Sequence, residues 1–354
     1  MLELCLQHRQ GSFDVNVDIT APGQGVTALF GHSGSGKTTL LRMLAGLDRP
    51  ERGRIVLNDR TFVDTDRRVF VPPHQRRLGV VFQEARLFPH YRVRSNLTYA
   101  RRITRGEAFD RIVSLLGIEA LLERMPGALS GGEARRVAIG RALLAEPDML
   151  LMDEPLTGLD GARKQELLEY IVRLTREIDL PILFVSHDPE ELMVVAEQLV
   201  VLDQGRVVAS DRLETLLSRG DLTPWLGGFE ASSLLQARVH SHDHHYHATR
   251  LTLGDGQRLT LPLLDAPEGR DVRVRVRRRD VAIALSHQEN SSVRNQLEAV
   301  ITSLCPGAPG TLEVTLALGN QRLSSRITLE AVEALDLRPG MTVVALIRSV
   351  SLAG

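Results

Sequence analysis

Cysteine is almost missing from this chain. Cys5 and Cys305 are the two it has, far apart and without a metal-ligand spacing, which argues against a disulfide scaffold or a thiolate metal site and for a reducing compartment. An excess of charge of either sign is missing too: 43 basic residues face 44 acidic ones, for a net charge of −1. Bulk electrostatic attraction to nucleic acid is therefore not expected, and no nucleic acid is counted among the partners. No run of about 18 apolar residues occurs. The start Met1-Leu2-Glu3-Leu4 has neither the basic region nor the apolar stretch of a secretion signal. Work at a membrane would thus pass through a partner. A length of 354 residues calls for two or three domains.

What is present centres on Gly31-His32-Ser33-Gly34-Ser35-Gly36-Lys37-Thr38-Thr39, set between the apolar runs Val26–Phe30 and Leu40–Ala45. This is the G-x-x-x-x-G-K-[ST] phosphate loop between a buried strand and a helix start. Glycines let successive N–H groups converge on phosphates, and the helix N-terminus adds its positive end. Lys37 would reach the β- and γ-phosphates. The Thr38 hydroxyl would hold Mg²⁺, with Thr39 its neighbour.

Around this loop, residues 1–30 alternate apolar and polar like antiparallel strands, and a buried strand Leu78–Phe82 delivers Gln83. That glutamine either bonds a metal-bound water or is a surface amide. Helical periodicity over 84–128 reads as an inserted helical subdomain, about 84–145. It carries Leu129-Ser130-Gly131-Gly132-Glu133, a capping box whose two glycines also leave the helix N-terminus bare for a phosphate. The apolar strand from Met149 ends in Asp153 and Glu154. Either these are solvated strand-end acids, or Asp153 holds Mg²⁺ through water and Glu154 polarises an attacking water. Asp160 opens a further helix, and the strand Pro181–Val185 delivers Ser186-His187-Asp188, with His187 able to donate to a γ-phosphate oxygen. A helix near Leu213–Leu217 closes this core.

The phosphate loop, Gln83, Leu129–Glu133, Met149–Glu154, Asp160 and His187 follow one another as in an ABC-transporter nucleotide-binding domain, which residues 1–220 resemble. The resemblance implies an α/β P-loop NTPase core in which two copies pack head to tail. Lys37, Thr38, Gln83, Asp153, Glu154 and His187 would then face the γ-phosphate and Mg²⁺ from one copy, and Ser130, Gly131 and Gly132 from the other. Asp160 joins the nucleotide-binding set on the same ground. The family's adenine-stacking aromatic has Phe13 and His8 as candidates; Phe13 stands close to the loop in sequence, and the contact is left unassigned.

Residues 221–232 read as a linker rich in turn formers, and 233–354 as short alternating strands of a small all-β barrel. This tail repeats itself. Leu253-Gly254 through Leu259 recurs as Leu318-Gly319 through Leu323, and Gly269 to Val276 recurs as Gly340 to Ile347, a period of about 65–70 residues. Ser291–Leu297 resembles the start of an oxyanion-binding Mop domain, which makes 233–354 similar to OB-like Mop/TOBE tails with the Mop-like segment at 291–354. By that resemblance Ser292, Arg294, Asn295, Arg348 and Ser349 are oxyanion candidates. The sequence departs from the pattern at Arg348, where the family has lysine, and at Ala331, where a serine is expected. A purely structural dimerisation barrel is the alternative. The chain from end to end is similar to the ATP-binding subunits of bacterial molybdate importers. This implies a homodimer, two integral-membrane permease subunits, a periplasmic molybdate-binding protein reached through them, and a place on the cytoplasmic face of the inner membrane. Importers of tungstate, sulfate, iron or sugar are the alternative. His240, His242, His244, His245 and His247 lack an accompanying carboxylate or cysteine pattern and are not taken as a metal site.

Overall fold

The computed structural model describes residues 1–100, 106–217, 219, 222–226, 232–307 and 309–352. They divide into two compact units, Met1–Asp211 and Arg212–Gly354.

In the first unit the strands and helices follow in the order β1 (Leu2–Gln10), β2 (Phe13–Ala21), β3 (Val26–Phe30), α1 (Lys37–Ala45), β4 (Arg52–Leu57), β5 (Arg60–Asp64), β6 (Val69–Phe70) and β7 (Leu78–Val81). Next come α2 (Val93–Leu97), α3 (Glu107–Leu115), α4 (Gly131–Leu144), β8 (Met149–Asp153), α5 (Gly161–Glu177), β9 (Ile182–Val185), α6 (Pro189–Val195), β10 (Gln198–Asp203) and β11 (Arg206–Arg212). Among the described residues these strands form an 11-stranded sheet in the order β6-β5-β4-β1-β2-β11-β10-β3-β9-β8-β7. The two halves of the sheet differ because their sequences do. β1 and β2 alternate buried and exposed residues and pair antiparallel, as strands with one wet face should. β3, β8 and β9 are buried at every position and pair parallel, which requires helices on both faces. The helices α2, α3 and α4 occupy the span read as an insertion.

Arg76, fully buried, anchors the far end of α1. Its Nη1 donates to the carbonyls of Met43 (2.8 Å) and Leu44 (2.6 Å), its Nε to Val71 O at 2.8 Å, and its guanidinium lies 5.5 Å from the Phe62 ring and 5.1 Å from Phe70. A cation on the C-terminal carbonyls of a helix meets the negative end of its dipole. Burial lowers the Arg76 pKa to about 10.

The second unit opens with α7 (Leu213–Leu217) and α8 (Thr223–Leu226). The sequence places α7 at the close of the first domain, whereas its contacts run to the tail. Glu214 pairs with Arg273 at 3.6 Å, and Leu217 O accepts from Nη2 of buried Arg278 at 2.7 Å. Of the linker read over 221–232, residues 221 and 227–231 lie outside the described residues. β12 (Ser232–Asp243), β13 (Ala248–Leu253), β14 (Arg258–Pro262), β15 (Asp271–Arg277) and β16 (Val281–Ala284) are followed by β17 (Asn295–Pro306), β18 (Thr311–Leu318), β19 (Gln321–Thr328), α9 (Leu329–Ala334), β20 (Thr342–Ile347) and β21 (Ser351–Leu352). They make two 5-stranded sheets, β14-β13-β12-β15-β21 and β16-β20-β17-β18-β19. The sequence repeat is thereby a structural one, with a twist in the connectivity: each half lends its fifth strand, β16 or β21, to the other half's sheet. Reciprocal side-chain clamps accompany the exchange. Gln257 pairs with the backbone of Glu298 (2.9 and 2.6 Å) and Gln321 with that of Gln236 (2.9 and 2.6 Å).

Candidate functional site

The phosphate loop, the carboxylates and His187 meet because three parallel neighbours end at one level. Leu29 of β3 lies opposite Val185 of β9, and Val185 opposite Asp153 of β8. The crevice beyond the carboxyl ends of such strands is where α/β sheets bind ligands. Two glycines shape the loop. A Cβ on Gly31 would stand 2.2 Å from Leu202 O, and Gly36 takes φ +103° with the Phe13 ring 3.3 Å from where its Cβ would be. Lys37 is buried, its Nζ donating to the carbonyls of Gly31 (2.8 Å) and His32 (3.0 Å). Burial pushes its pKa down, against the raising effect of Glu154 and Asp153. Ser35 Oγ is buried with no hydrogen-bond partner among the described residues. A ring of backbone N–H groups, a desolvated ammonium and an orphaned hydroxyl suit a phosphate chain.

Thr38 Oγ1 lies 3.5 Å from Asp153 Oδ1. Burial, and then the charge of Glu154, push the Asp153 carboxyl up from its ordinary range, while Thr38 and Lys37 act the other way. A hydroxyl and a carboxylate short of positive charge form a hard-oxygen pair that fits Mg²⁺. Glu154 turns the chain out of β8 with φ +47°, a conformation rare for a residue with a side chain and most often kept at functional positions. The turn sets its carboxylate between two partners: Oε1 is 3.1 Å from His187 Nδ1, and Oε2 accepts from Thr157 Oγ1 at 3.0 Å.

A cleft of ≈ 360 Å³ opens here, lined from the loop by Ser33, Gly34, Gly36, Lys37, Thr38 and Thr39, from β8 by Glu154, and from the first hairpin by Gln10 and Phe13. Gln10 has no motif to announce it. Phe13 does carry a signal: it shares the buried-face parity of Val15 and Val17, so its ring faces inward at the mouth of β2, and the hairpin folds it onto Gly36. Chain separation said nothing of that approach. Other expected residues stand apart from the cleft. Gln83 is exposed, and its carbonyl accepts from Arg135 Nη2 at 3.3 Å. Asp160 caps α5, accepting from Arg163 N at 3.1 Å. Ser130 and Glu133 form the capping box of α4 (2.7 and 3.3 Å), with Gly131 and Gly132 in its first turn.

In the tail, Asn295 lies opposite Ile347, so the stretches holding Ser292, Arg294, Arg348 and Ser349 meet at one end of a sheet, all four exposed. The Asn295 amide is spent on the backbone of Thr260, donating to its carbonyl and accepting from its N–H, both at 2.7 Å. The structure thus gives Asn295 a clamping task. His242 bonds Thr249 Oγ1 (2.9 Å) and Ala266 O (2.8 Å), and among the described residues no cluster of His, Cys, Asp and Glu could hold a metal ion. No helix among them is long and apolar enough to cross a membrane.

The ABC transporter family matches residues 15–157, and the TOBE domain family residues 291–353. The chain is 48% identical over 351 residues to the molybdenum import ATP-binding protein ModC of Yersinia pestis, covering 99% of this chain and 97% of that one. To ModC of Pectobacterium atrosepticum it is 49% identical over 352 residues, 99% of each chain, and to that of Escherichia coli 45%, with the same coverage. Among solved structures, a dimeric ATP-binding cassette in a post-hydrolysis state with ADP and phosphate is similar over 60% of this chain and 99% of its own (TM-score 0.50, 26% identity). The protein cbiO1 of Clostridium perfringens, part of an ABC transporter complex, shares the fold over 63% of this chain and 92% of its own (TM-score 0.52, 24% identity).

Proposed function

Because the chain belongs to the ModC family of molybdenum import ATP-binding proteins, we propose a role for each residue of its cleft in the work of that family. The protein is the ATP-binding, ATP-hydrolysing subunit of an ABC importer that energises molybdate uptake. The phosphates of ATP rest on the loop N–H groups from Gly31 to Thr39. Lys37 exchanges the carbonyls of Gly31 and His32 for the β- and γ-phosphate oxygens, and Ser35 Oγ gains a partner. Phe13 stacks on adenine, with Gln10 at the rim. Thr38 and Asp153 would hold Mg²⁺, and Gln83 would have to swing in from the surface to join them. When bound, the ion neutralises charge growing on the β- and γ-oxygens. Glu154 takes a proton from the attacking water. His187 holds the Glu154 carboxylate through Nδ1 and turns its other edge to the γ-phosphate.

The second half of each site comes from a partner copy, whose Ser130, Gly131 and Gly132 present the N-terminus of α4 to the γ-phosphate, with Asp160 at the border. The capping box supports this, since it fixes the geometry of that terminus. Outside the dimer, the subunit docks on two integral-membrane permease subunits at the cytoplasmic face of the inner membrane, and meets the periplasmic molybdate-binding protein only through them. The aromatic cluster following Gln83 supports such docking: the rings of Phe88 and Tyr99 lie 4.3 Å apart, tilted by 37°, and Tyr91 and Tyr99 are exposed.

The Glu154–His187 pair over the phosphate loop carries this reading. Glu154→Gln should bind ATP like the unmutated protein and hydrolyse it about 10²–10⁴-fold more slowly, whereas Lys37→Ala should weaken binding itself. Hydrolysis by Glu154→Gln at the unmutated rate would overturn the assignment.

A further inference from the structure

His187 is held by remarkably little of its own. Its side chain is 56% exposed, and among the described residues Glu154 is the one group paired with its ring. The ring is therefore placed by the backbone on either side of it, and both neighbours belong to one buried polar network. Ser186 is buried; its Oγ donates to Glu191 Oε2 at 2.6 Å and accepts from Asp188 N at 3.0 Å. Asp188 caps α6 by accepting from Glu190 N at 2.9 Å. Glu191 is 4% exposed. Both carboxylates converge on a single ammonium from another element: Lys164 Nζ bonds Asp188 Oδ2 and lies 2.7 Å from Glu191 Oε1. Lys164 stands one turn into α5, its N–H donating to Asp160 O at 2.8 Å.

We propose that Lys164 is a positioning residue for hydrolysis, which fixes the turn carrying His187 by bridging Asp188 and Glu191 from the first turn of α5. The proposal rests on reading Glu154 and His187 as the hydrolytic pair. Two carboxylates share one cation here, so removing Lys164 leaves both without their counter-ion. Burial works against charge on both Asp188 and Lys164, yet their mutual hydrogen bonds leave the Asp188 carboxyl below its ordinary range and the Lys164 ammonium above its own. With the ammonium gone, Glu191 is left buried without its cation, a cost that the network relieves by rearranging what Ser186 Oγ and Asp188 N bond. The backbone of His187 then loses its fixed ends. Nucleotide contacts on the phosphate loop are untouched, because no member of the network lines that cleft.

The test is steady-state ATPase of the full chain, with kcat and KM separated. Lys164→Met should lower kcat about 10–100-fold, the cost of a small misplacement of a reacting group, with KM for ATP within about twofold. Lys164→Arg, which keeps a bridging cation, should restore most of kcat. A folded Lys164→Met with kcat within about twofold of the unmutated protein overturns the proposal, as does a Lys164→Arg as slow as Lys164→Met, or a loss confined to KM. If Lys164→Met does not fold, Glu191→Gln takes its place. That change keeps an acceptor for Ser186 and removes one carboxylate from the bridge, and an unchanged kcat is then the overturning result. Glu154→Gln is run alongside. If it hydrolyses ATP normally, the hydrolytic pair is misassigned and the Lys164 proposal falls with it; if it is inactive while Lys164→Met turns over normally, the positioning role alone falls.

Discussion

Asp153 and Glu154 are neighbours in the chain whose surroundings pull them into different tasks. Asp153 is buried beside Lys37 and Thr38 with its pKa raised by burial and by Glu154, whereas Glu154 leaves the strand at φ +47° to reach His187 and Thr157. A carboxyl whose folded pKa lies above its unfolded value binds more protons when folded. Its ionisation thus subtracts stability as pH rises from about 4, the unfolded value, through the raised folded value. Asp153→Asn should therefore raise the melting temperature near neutral pH by about 2–4 °C, the shift of ~1 kcal/mol in a domain of this size, and should flatten that part of the pH profile. Added Mg²⁺ and ATP should stabilise the unmutated protein more than the variant. Calorimetry in their presence and absence checks both. At this scale the sequence was most legible, because Asp153 ends a continuous apolar strand and Lys37, Thr38 and His187 come shortly after one. Phe13 is legible as inward-facing from the parity of Val15 and Val17, but its approach to Gly36 is not, because a hairpin brings it there and chain separation says nothing of that fold-back.

Elements settle what single residues cannot. The first turn of α4 is fixed by two reciprocal bonds between Ser130 and Glu133. The Glu133 carboxyl is held below its ordinary range, first by the Ser130 backbone N–H and also by the Ser130 side chain and the charges of Arg124 and Arg136, against a smaller opposing effect of burial. The stability it confers is present above the unfolded pKa of about 4.3 and fades as pH falls through the lower folded value. Ser130→Ala should cost about 1 kcal/mol, read as a lower urea midpoint with an unchanged slope. The capping box was visible as a sequence pattern. Arg76 was not visible, since nothing in its neighbourhood distinguishes a buried guanidinium on the carbonyls of Met43 and Leu44 from a surface arginine. Its carbonyl partners need a planar fork, and Arg76→Lys should cost about 2–3 kcal/mol in the same assay.

At the scale of the whole molecule, duplication in the tail could be read from recurring residues, but the exchange of β16 and β21 could not, because strand order is set by long-range pairing. The Mop-like stretch 291–354 lacks β16, the strand that borders β20. Cut out alone, it should fail to give a folded monomer, in contrast to residues 212–354, and Gln321→Ala in the full chain should cost about 1 kcal/mol or less, because the two bonds it loses to the Gln236 backbone are exposed and water can replace them. Circular dichroism and urea melts decide both. The first unit poses a different question, because Ser130, Gly131 and Gly132 do not line its cleft and are proposed to complete the site of a partner copy. The account therefore stands or falls with mixed dimers of Lys37→Ala and Gly131→Asp. Both variants should fold, since a Cβ on Gly131 meets nothing nearer than Leu159 Cδ2 at 3.4 Å and an acidic residue suits a helix N-terminus. Each alone should be inactive. A mixture in which the two copies pair should regain hydrolysis at one of its two sites, up to about half the unmutated rate in each mixed dimer; a mixture that forms dimers yet stays as inactive as its parents would contradict a site shared between copies.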